Sequence, residues 1–272
     1  MIQRTIYLVA FTLLFAACKE EEKVTSWTYS ETISLKAINP IGLTSTEQGI
    51  WLSDGDRNRL VLVDGDGKVV QAFDSLDRPM HIASKDNSIY VPTYGNDKIL
   101  KIDGDRVQEI VIPDSLDAPA GVDIRGNEMA IADFYNHRVL YSTDGKDFLS
   151  VGKQGKKDGE FYYPTDVQIT DDAIWVADAY NNRVQIFDKS GKFVKIIGAE
   201  ARMNAATGIY VTEKELMVTD FESERVLVFD HDGNMKQELR KGVTKPTDVL
   251  IYKGDLYIAN YRNGSMVIYK RN

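Results

Sequence analysis

The sequence predicts an all-β chain: a six-bladed β-propeller of four-stranded blades, its ring closed by an N-terminal strand that completes the last blade. Three observations lead there. An acid-centred column, Asp54, Thr93, Asp133, Asp178, Asp220 and Asn260, recurs at gaps of 39, 40, 45, 42 and 40 residues, about the length of one propeller blade. Within each period the apolar residues alternate or come in short bursts (VQIF, RVLVF, MVIY), as strands require and two-helix repeats do not. The sixth copy stops after its third strand, SMVIYKRN, whereas WTYSETISL at Trp27–Leu35 is a strand-like stretch with no repeat of its own. Open sheet edges are costly, so the two fragments are expected to pair.

The first 17 residues stand apart. Arg4 is their one charge, Ile6 to Phe15 is apolar apart from one Thr, and Ala16, Ala17 and Cys18 follow. That layout is a secretory signal, too short to span a bilayer. Cys18, the single cysteine, sits where the small residues end. The arrangement resembles a bacterial lipoprotein signal, which implies acylation of Cys18, although Phe15 stands where Leu is usual. Lys19-Glu20-Glu21-Glu22-Lys23 reads as a solvated tether over 18–26, and also resembles the surface-export signal of Bacteroidota lipoproteins. The expected location is the outer membrane, at the cell surface or facing the periplasm, with acylated Cys18 holding the membrane. With that cysteine used, no intramolecular disulfide can staple the domain.

The propeller then occupies 27–272, with blades near 40–74, 79–112, 119–152, 164–198, 206–240 and 246–272, the last completed by residues near 27–37. A proline opens five of them: Pro40, Pro79, Pro119, Pro164 and Pro246, with Ala206 in the fifth. Five residues past the acid column stands a base, Arg59, Lys98, Arg138, Arg183 and Arg225, replaced in the last blade by Ser265. Acid and base would close the loop between strands two and three as a charge-assisted pair, a structural role. Asp-Gly and Ser-Gly turns at Asp64–Gly67, Asp103-Gly104, Asp144-Gly145, Ser190-Gly191 and Asp232-Gly233 mark hairpin tips. The string at Asp64 has the start of a calcium loop without its closing Glu.

On these residues the chain resembles the NHL-repeat family. PTDVQITDDAIWVADAYNNRVQIFDKSG, with the lead-in GKQGKKDGEFYY, carries the resemblance most tightly, and the third repeat is close. Pro92 interrupts the second copy, and Asn260 and Ser265 lack the charged pair of the sixth. The resemblance implies a six-bladed propeller.

Function is narrowed mostly by exclusion. The formal charge of −8, −9 once Arg4 leaves with the signal, disfavours nucleic acid, which needs a basic stripe. No GxSxG, HExxH or spare cysteine offers a nucleophile or zinc motif. The lyase that releases amidated peptides resembles an NHL propeller too, but its histidine ligands and disulfides have no counterpart here.

Two constellations remain. Two residues beyond each proline stand Gly42, His81, Gly121, Asp166, Gly208 and Asp248. Glycine alternates with a potential ligand, so His81, Asp166 and Asp248 would meet at the axis from every second blade. One nitrogen and two carboxylates suit zinc, manganese or iron, or calcium with added oxygens, and Asp123 is a candidate second-layer partner. The plainer reading has each aspartate capping backbone N–H groups and His81 filling space. Lactonases that resemble such propellers hold axial calcium with Glu and Asn, which this column lacks. The second constellation lies in the loops between strands two and three: Tyr94, Phe134, Tyr135, Tyr180, Phe221 and Tyr261, with Arg262 and several Asn. Aromatic planes beside polar tips suit a glycan, a peptide or a protein surface. The first expectation is therefore a non-enzymatic, lipid-anchored binding propeller, with a TonB-dependent outer-membrane transporter as the implied neighbour. The alternative is a metal-dependent hydrolase, lactonase or lyase with its site on the axis.

Overall fold

The computed structural model describes residues 26–272. The signal-like segment 1–17, Cys18 and all but the last residue of the tether lie outside the described residues. Six four-stranded antiparallel sheets are present, five of them running from an innermost strand to an outermost one in chain order and the sixth taking its outermost strand from the start of the described chain. The innermost strands are Leu43–Thr46, Ala83–Lys85, Pro119–Arg125, Pro164–Ile169, Ala206–Val211 and Pro246–Tyr252.

The ring closes as the sequence predicts. Trp27–Ser34 pairs antiparallel with Ser265–Arg271 and forms the outer strand of the sixth blade, from Trp27↔Arg271 to Ser34↔Ser265 with one register shift between Tyr29 and Glu31. The seam is reinforced from both sides. Trp27 N–H donates to Gln237 Oε1 at 2.8 Å and Gln237 Nε2 donates back to the Trp27 carbonyl at 2.7 Å, tying the fifth blade to this strand. Arg271 stacks over the Trp27 ring at 4.5 Å.

Burial explains why second strands such as AIWVAD read as unbroken apolar runs. Ala173–Asp178 is buried at every position because both faces of its sheet pack against neighbouring blades. The core is accordingly six layers, one per interface. Trp175, Ile186 and Ile197 of the fourth blade, for example, meet Ile209, Leu216 and Phe229 of the fifth. The seam layer joins Leu35, Ile38, Leu43 and Leu52 to Leu250, Ala259 and Met266. Outer strands such as Arg106–Ile110 face water.

The acid–base pair forms as expected in four blades; in the second, where Thr93 replaces the acid, Lys98 turns instead to Glu109 of the outer strand at 2.6 Å. Asp54, Asp133, Asp178 and Asp220 are fully buried, and each accepts from the Nε of its arginine at 3.0, 2.8, 2.9 and 2.7 Å. Their carboxylates do more than pair. Asp133, Asp178 and Asp220 also accept the backbone N–H of Asp117, Tyr162 and Asn204, pinning the connection that arrives from the preceding blade. In the sixth blade Asn260 performs the same function with Thr244 N–H and Ser265 Oγ. A buried charge is tolerable only when paired and hydrogen-bonded, and these are.

Pro92 has a visible cost. Its carbonyl accepts from Met80 N–H, so its missing N–H also faces the innermost strand, and a ladder bond is lost there. That strand is shortened to Ala83–Lys85.

Removing residues 27–35 takes away the outer strand of the last blade and part of the seam core. The expected outcome is loss of the cooperative thermal transition by circular dichroism; a truncated chain that melts like the intact one contradicts this account of closure.

Candidate functional site

The site begins with a backbone irregularity. In four blades the pairing register between strands one and two shifts just after the opening residue, between Pro119 and Gly121, Pro164 and Asp166, Ala206 and Ile209, and Pro246 and Asp248. Such bulges re-aim side chains, and the column they re-aim is the one of alternating glycine and ligand-type residues.

Glycine is obligatory there because each glycine lies against the backbone of the next blade. A Cβ on Gly121 would stand 2.7 Å from the Thr165 carbonyl oxygen and 2.9 Å from Asp166 Cα, and one on Gly42 would stand 2.8 Å from His81 Cα. Gly208 meets Thr247 and Asp248 in the same way. The six inner strands thus come together as three close pairs, each contributing one side chain to the axis. His81, Asp166 and Asp248 are all buried, and one ligand atom from each lies within 4.8 Å of the others.

The two aspartates are held identically. Asp166 accepts Val167 N–H through Oδ1 and Ile209 N–H through Oδ2, both at 2.9 Å. Asp248 accepts Val249 N–H at 2.8 Å and, across the ring seam, Leu43 N–H at 2.7 Å. Each carboxylate therefore caps its own strand and clamps the next blade, so the strand-capping reading is also realised. His81 differs. Its Nδ1 lies 3.9 Å from Asp166 Oδ2 and 3.6 Å from Asp248 Oδ2, too far for hydrogen bonds, and it is a buried nitrogen with no hydrogen-bond partner among the described residues.

Electrostatics follow from this crowding. Burial pulls the His81 imidazole down, but the carboxylates of Asp166 and Asp248 outweigh it and hold it above its ordinary value. Burial pushes the Asp166 carboxyl up to about 7, His81 opposing and Asp248 adding to the rise. Two buried carboxylates on one axis need a positive partner, and His81 is the nearest group able to supply or share one.

The column divides the axis into two spaces. Below it, a channel of about 230 Å³ is lined by Asp166, Asp248, Asp123, Gln168 and Tyr210 among others. Asp123 links the third blade to the fourth through Ile169 N–H at 2.7 Å; burial pushes its carboxyl up to about 6 against the pull of the Ile169 and Ile124 amides. Above the column, a bowl of about 320 Å³ has His81, Met80, Thr165, Thr207 and Thr247 in its floor.

Phe134, Tyr180, Phe221 and Tyr261 line the wall of that bowl. Tyr94 and Tyr135 lie beside Phe134, with ring centroids 5.8 and 5.0 Å from it. Arg262 stands outside, over the Tyr261 ring at 5.6 Å. The first blade brings no ring; its Asp56 accepts the Tyr261 hydroxyl at 2.9 Å, bridging the seam. Four features escape a reading of that loop column. Tyr163 stacks on Phe134 at 4.7 Å and Tyr162 packs beside it at 4.6 Å; Arg78 and Glu222 bring charges of both signs to the wall. The only hint was FYYP in the lead-in of the fourth repeat.

His137 and His231 stay away from the axis. His137 Nδ1 accepts Tyr163 N–H at 3.1 Å, and burial lowers the imidazole below its ordinary value despite Asp178, which suits a neutral acceptor. His231 packs on Trp175.

Residues 161–187 match the family description "NHL repeat". The chain is thus a six-bladed β-propeller that carries an NHL repeat in its fourth blade. Among curated proteins it is similar to Protein brain tumor of Drosophila melanogaster, 30% identical over 86 residues. That stretch is 30% of this chain and only 8% of the fly protein. Among solved structures it is similar to a streptogramin B lyase (16% identity, TM-score 0.65, 91% of this chain and 98% of that one). It is also similar to a gluconolactonase from Xanthomonas campestris (14% identity, TM-score 0.71, 89% of each chain). At such identities the likeness is one of fold.

Proposed function

We propose that this chain is a lipid-anchored propeller that captures a glycan, a peptide or an outer-membrane partner in the aromatic bowl at its axis, without transforming it. The observation that carries this reading is the convergence of Phe134, Tyr180, Phe221 and Tyr261, from four different blades, on one cavity. Apolar ring faces with Asp56, Arg78 and Glu222 between them suit a ligand that is flat on one side and polar at its edges. Tyr180 is 60% exposed and Tyr135 48%, so these rings contribute little to the core and are available for contact.

A second reading is favoured by the axial trio in the floor of the same bowl: a metal-dependent hydrolase, lactonase or lyase. The fold is shared with a lyase and a lactonase, and a donor set directly beneath a ligand-sized cavity is where such chemistry would be placed.

A glycan array and a panel of short peptides, probed with the intact protein and with a Phe134→Ala, Tyr180→Ala, Tyr261→Ala variant, test capture. Loss of two or three stacking contacts should weaken the best hit by at least about tenfold. Unchanged binding by the variant overturns the bowl as the site, and chemical conversion of the captured compound favours the second reading.

The anchor is tested separately. In cells fed an alkyne fatty acid, the chain should be labelled and partition with membranes, and Cys18→Ser should abolish both. Equal labelling of the two forms rules out acylation at Cys18.

A further inference from the structure

We propose that His81, Asp166 and Asp248 form a binding site for one divalent transition-metal ion of the zinc or manganese type, set on the axis between the bowl and the lower channel. This goes beyond ligand capture and does not depend on what the bowl holds.

Two independent observations support it. The first is placement: three donors from the second, fourth and sixth blades lie within 4.8 Å of one another, brought there by glycines that let neighbouring strands touch. Donors bound to a common zinc ion at ordinary bond lengths lie about 3.3 Å apart. The separations of 3.6 and 3.9 Å from His81 Nδ1 need only a small contraction, and the longest in the trio, bounded by 4.8 Å, a contraction of up to about 1.5 Å. The second is the orphaned nitrogen. His81 is 4% exposed, yet among the described residues Nδ1 has no hydrogen-bond partner and it faces two carboxylate oxygens. A buried polar atom left unmatched is destabilising, and a cation between the three donors removes that deficit.

The donor set selects the ion. Calcium and magnesium favour all-oxygen shells, whereas one imidazole with two carboxylates suits zinc, manganese or iron(II). Charge also fits. A metal-bound imidazole is neutral and bound carboxylates are ionised, so a divalent ion would balance the charge of the trio. Each Oδ2 receives one backbone N–H, from Ile209 or Leu43, which orients it and leaves further acceptor capacity toward the axis. His81 lines the bowl while Asp166 and Asp248 line the channel, so the donor set borders a cavity on either side and an ion has a path of entry.

The test uses the full chain, stripped with chelator and dialysed against Zn²⁺, Mn²⁺, Ca²⁺ or Mg²⁺ in turn, with bound metal counted by mass spectrometry and affinity measured by calorimetry. One equivalent of zinc or manganese per chain is expected, with calcium and magnesium washed away. Asp166→Asn and Asp248→Asn keep one of the two oxygens that accept backbone amides, so folding is checked by circular dichroism, and the folded variants should lose at least a hundredfold in zinc affinity. Should either variant fail to fold, Co²⁺ loading of the unaltered protein gives a second reading: visible d–d bands that excess Zn²⁺ abolishes. A metal-free protein, retention of zinc by the Asn variants, calcium bound as tightly as zinc, or a colourless cobalt sample each overturns the proposal. In the first of these cases a shared proton alone occupies the cluster.

Discussion

The contact on which the structure turns is backbone against backbone at the axis. Gly42, Gly121 and Gly208 each face the main chain of the following blade at distances no β-carbon can occupy. His81 N–H donates to the Ala120 carbonyl at 2.9 Å, and His81 bridges Gly121 in parallel fashion, so the pairs are themselves linked. Where one inner strand has no side chain its partner's has room, and three polar side chains fill the centre. A six-fold repeat in sequence thereby becomes a three-fold arrangement at the axis.

The rest of the ring is tied by hydrogen bonds across interfaces rather than by covalent staples. The residue before each blade's base lies in the left-handed region: Asn58, Asp97, His137, Asn182, Glu224 and Gly264, with φ between 53° and 60°. In the first four the side chain accepts the N–H of Arg78, Ala118, Tyr163 or Ala205, immediately before the next blade's opening residue. Those donor residues also have positive φ, from 51° to 68°. Holding non-glycine residues there costs on the order of 1 kcal/mol each, offset by a hydrogen bond made identically from blade to blade. Asp166, Asp248 and Asp123 add the same kind of link farther in. The axial carboxylates are therefore clamps first, and whatever chemistry they perform is added to that.

Periodicity made the fold legible. Spacing near 40 residues, the proline column and the acid–base column each correspond to one structural position, and the unpaired Trp27–Leu35 and the truncated sixth repeat specified each other. The axial column was legible because glycine and ligand-type residues alternate at one register position, whatever the geometry between strands. Other features were not. The left-handed residues just before the blade-opening positions are Arg78, Ala118, Tyr163, Ala205 and Lys245, none a residue type that announces positive φ. Tyr162 and Tyr163 belong to a lead-in of irregular length, so no register places them over Phe134. Arg78 and Glu222 reach the bowl from opposite sides of the ring, a proximity only the closed propeller creates. The short inner strand of the second blade required knowing toward which neighbour Pro92 turned its missing N–H.

The tight pairing at the axis is most directly tested by adding a single carbon. Gly208→Ala places a methyl group against Thr247 and Asp248, whereas Gly65→Ala, in open space at a hairpin tip, is the matched control. Overpacking of this kind typically costs about 1–3 kcal/mol, so the melting temperature of the Gly208 variant should fall by several degrees while the control stays within about a degree. Equal melting of the two variants would show that the inner strands are not in contact, and the convergence of His81, Asp166 and Asp248 would lose its foundation.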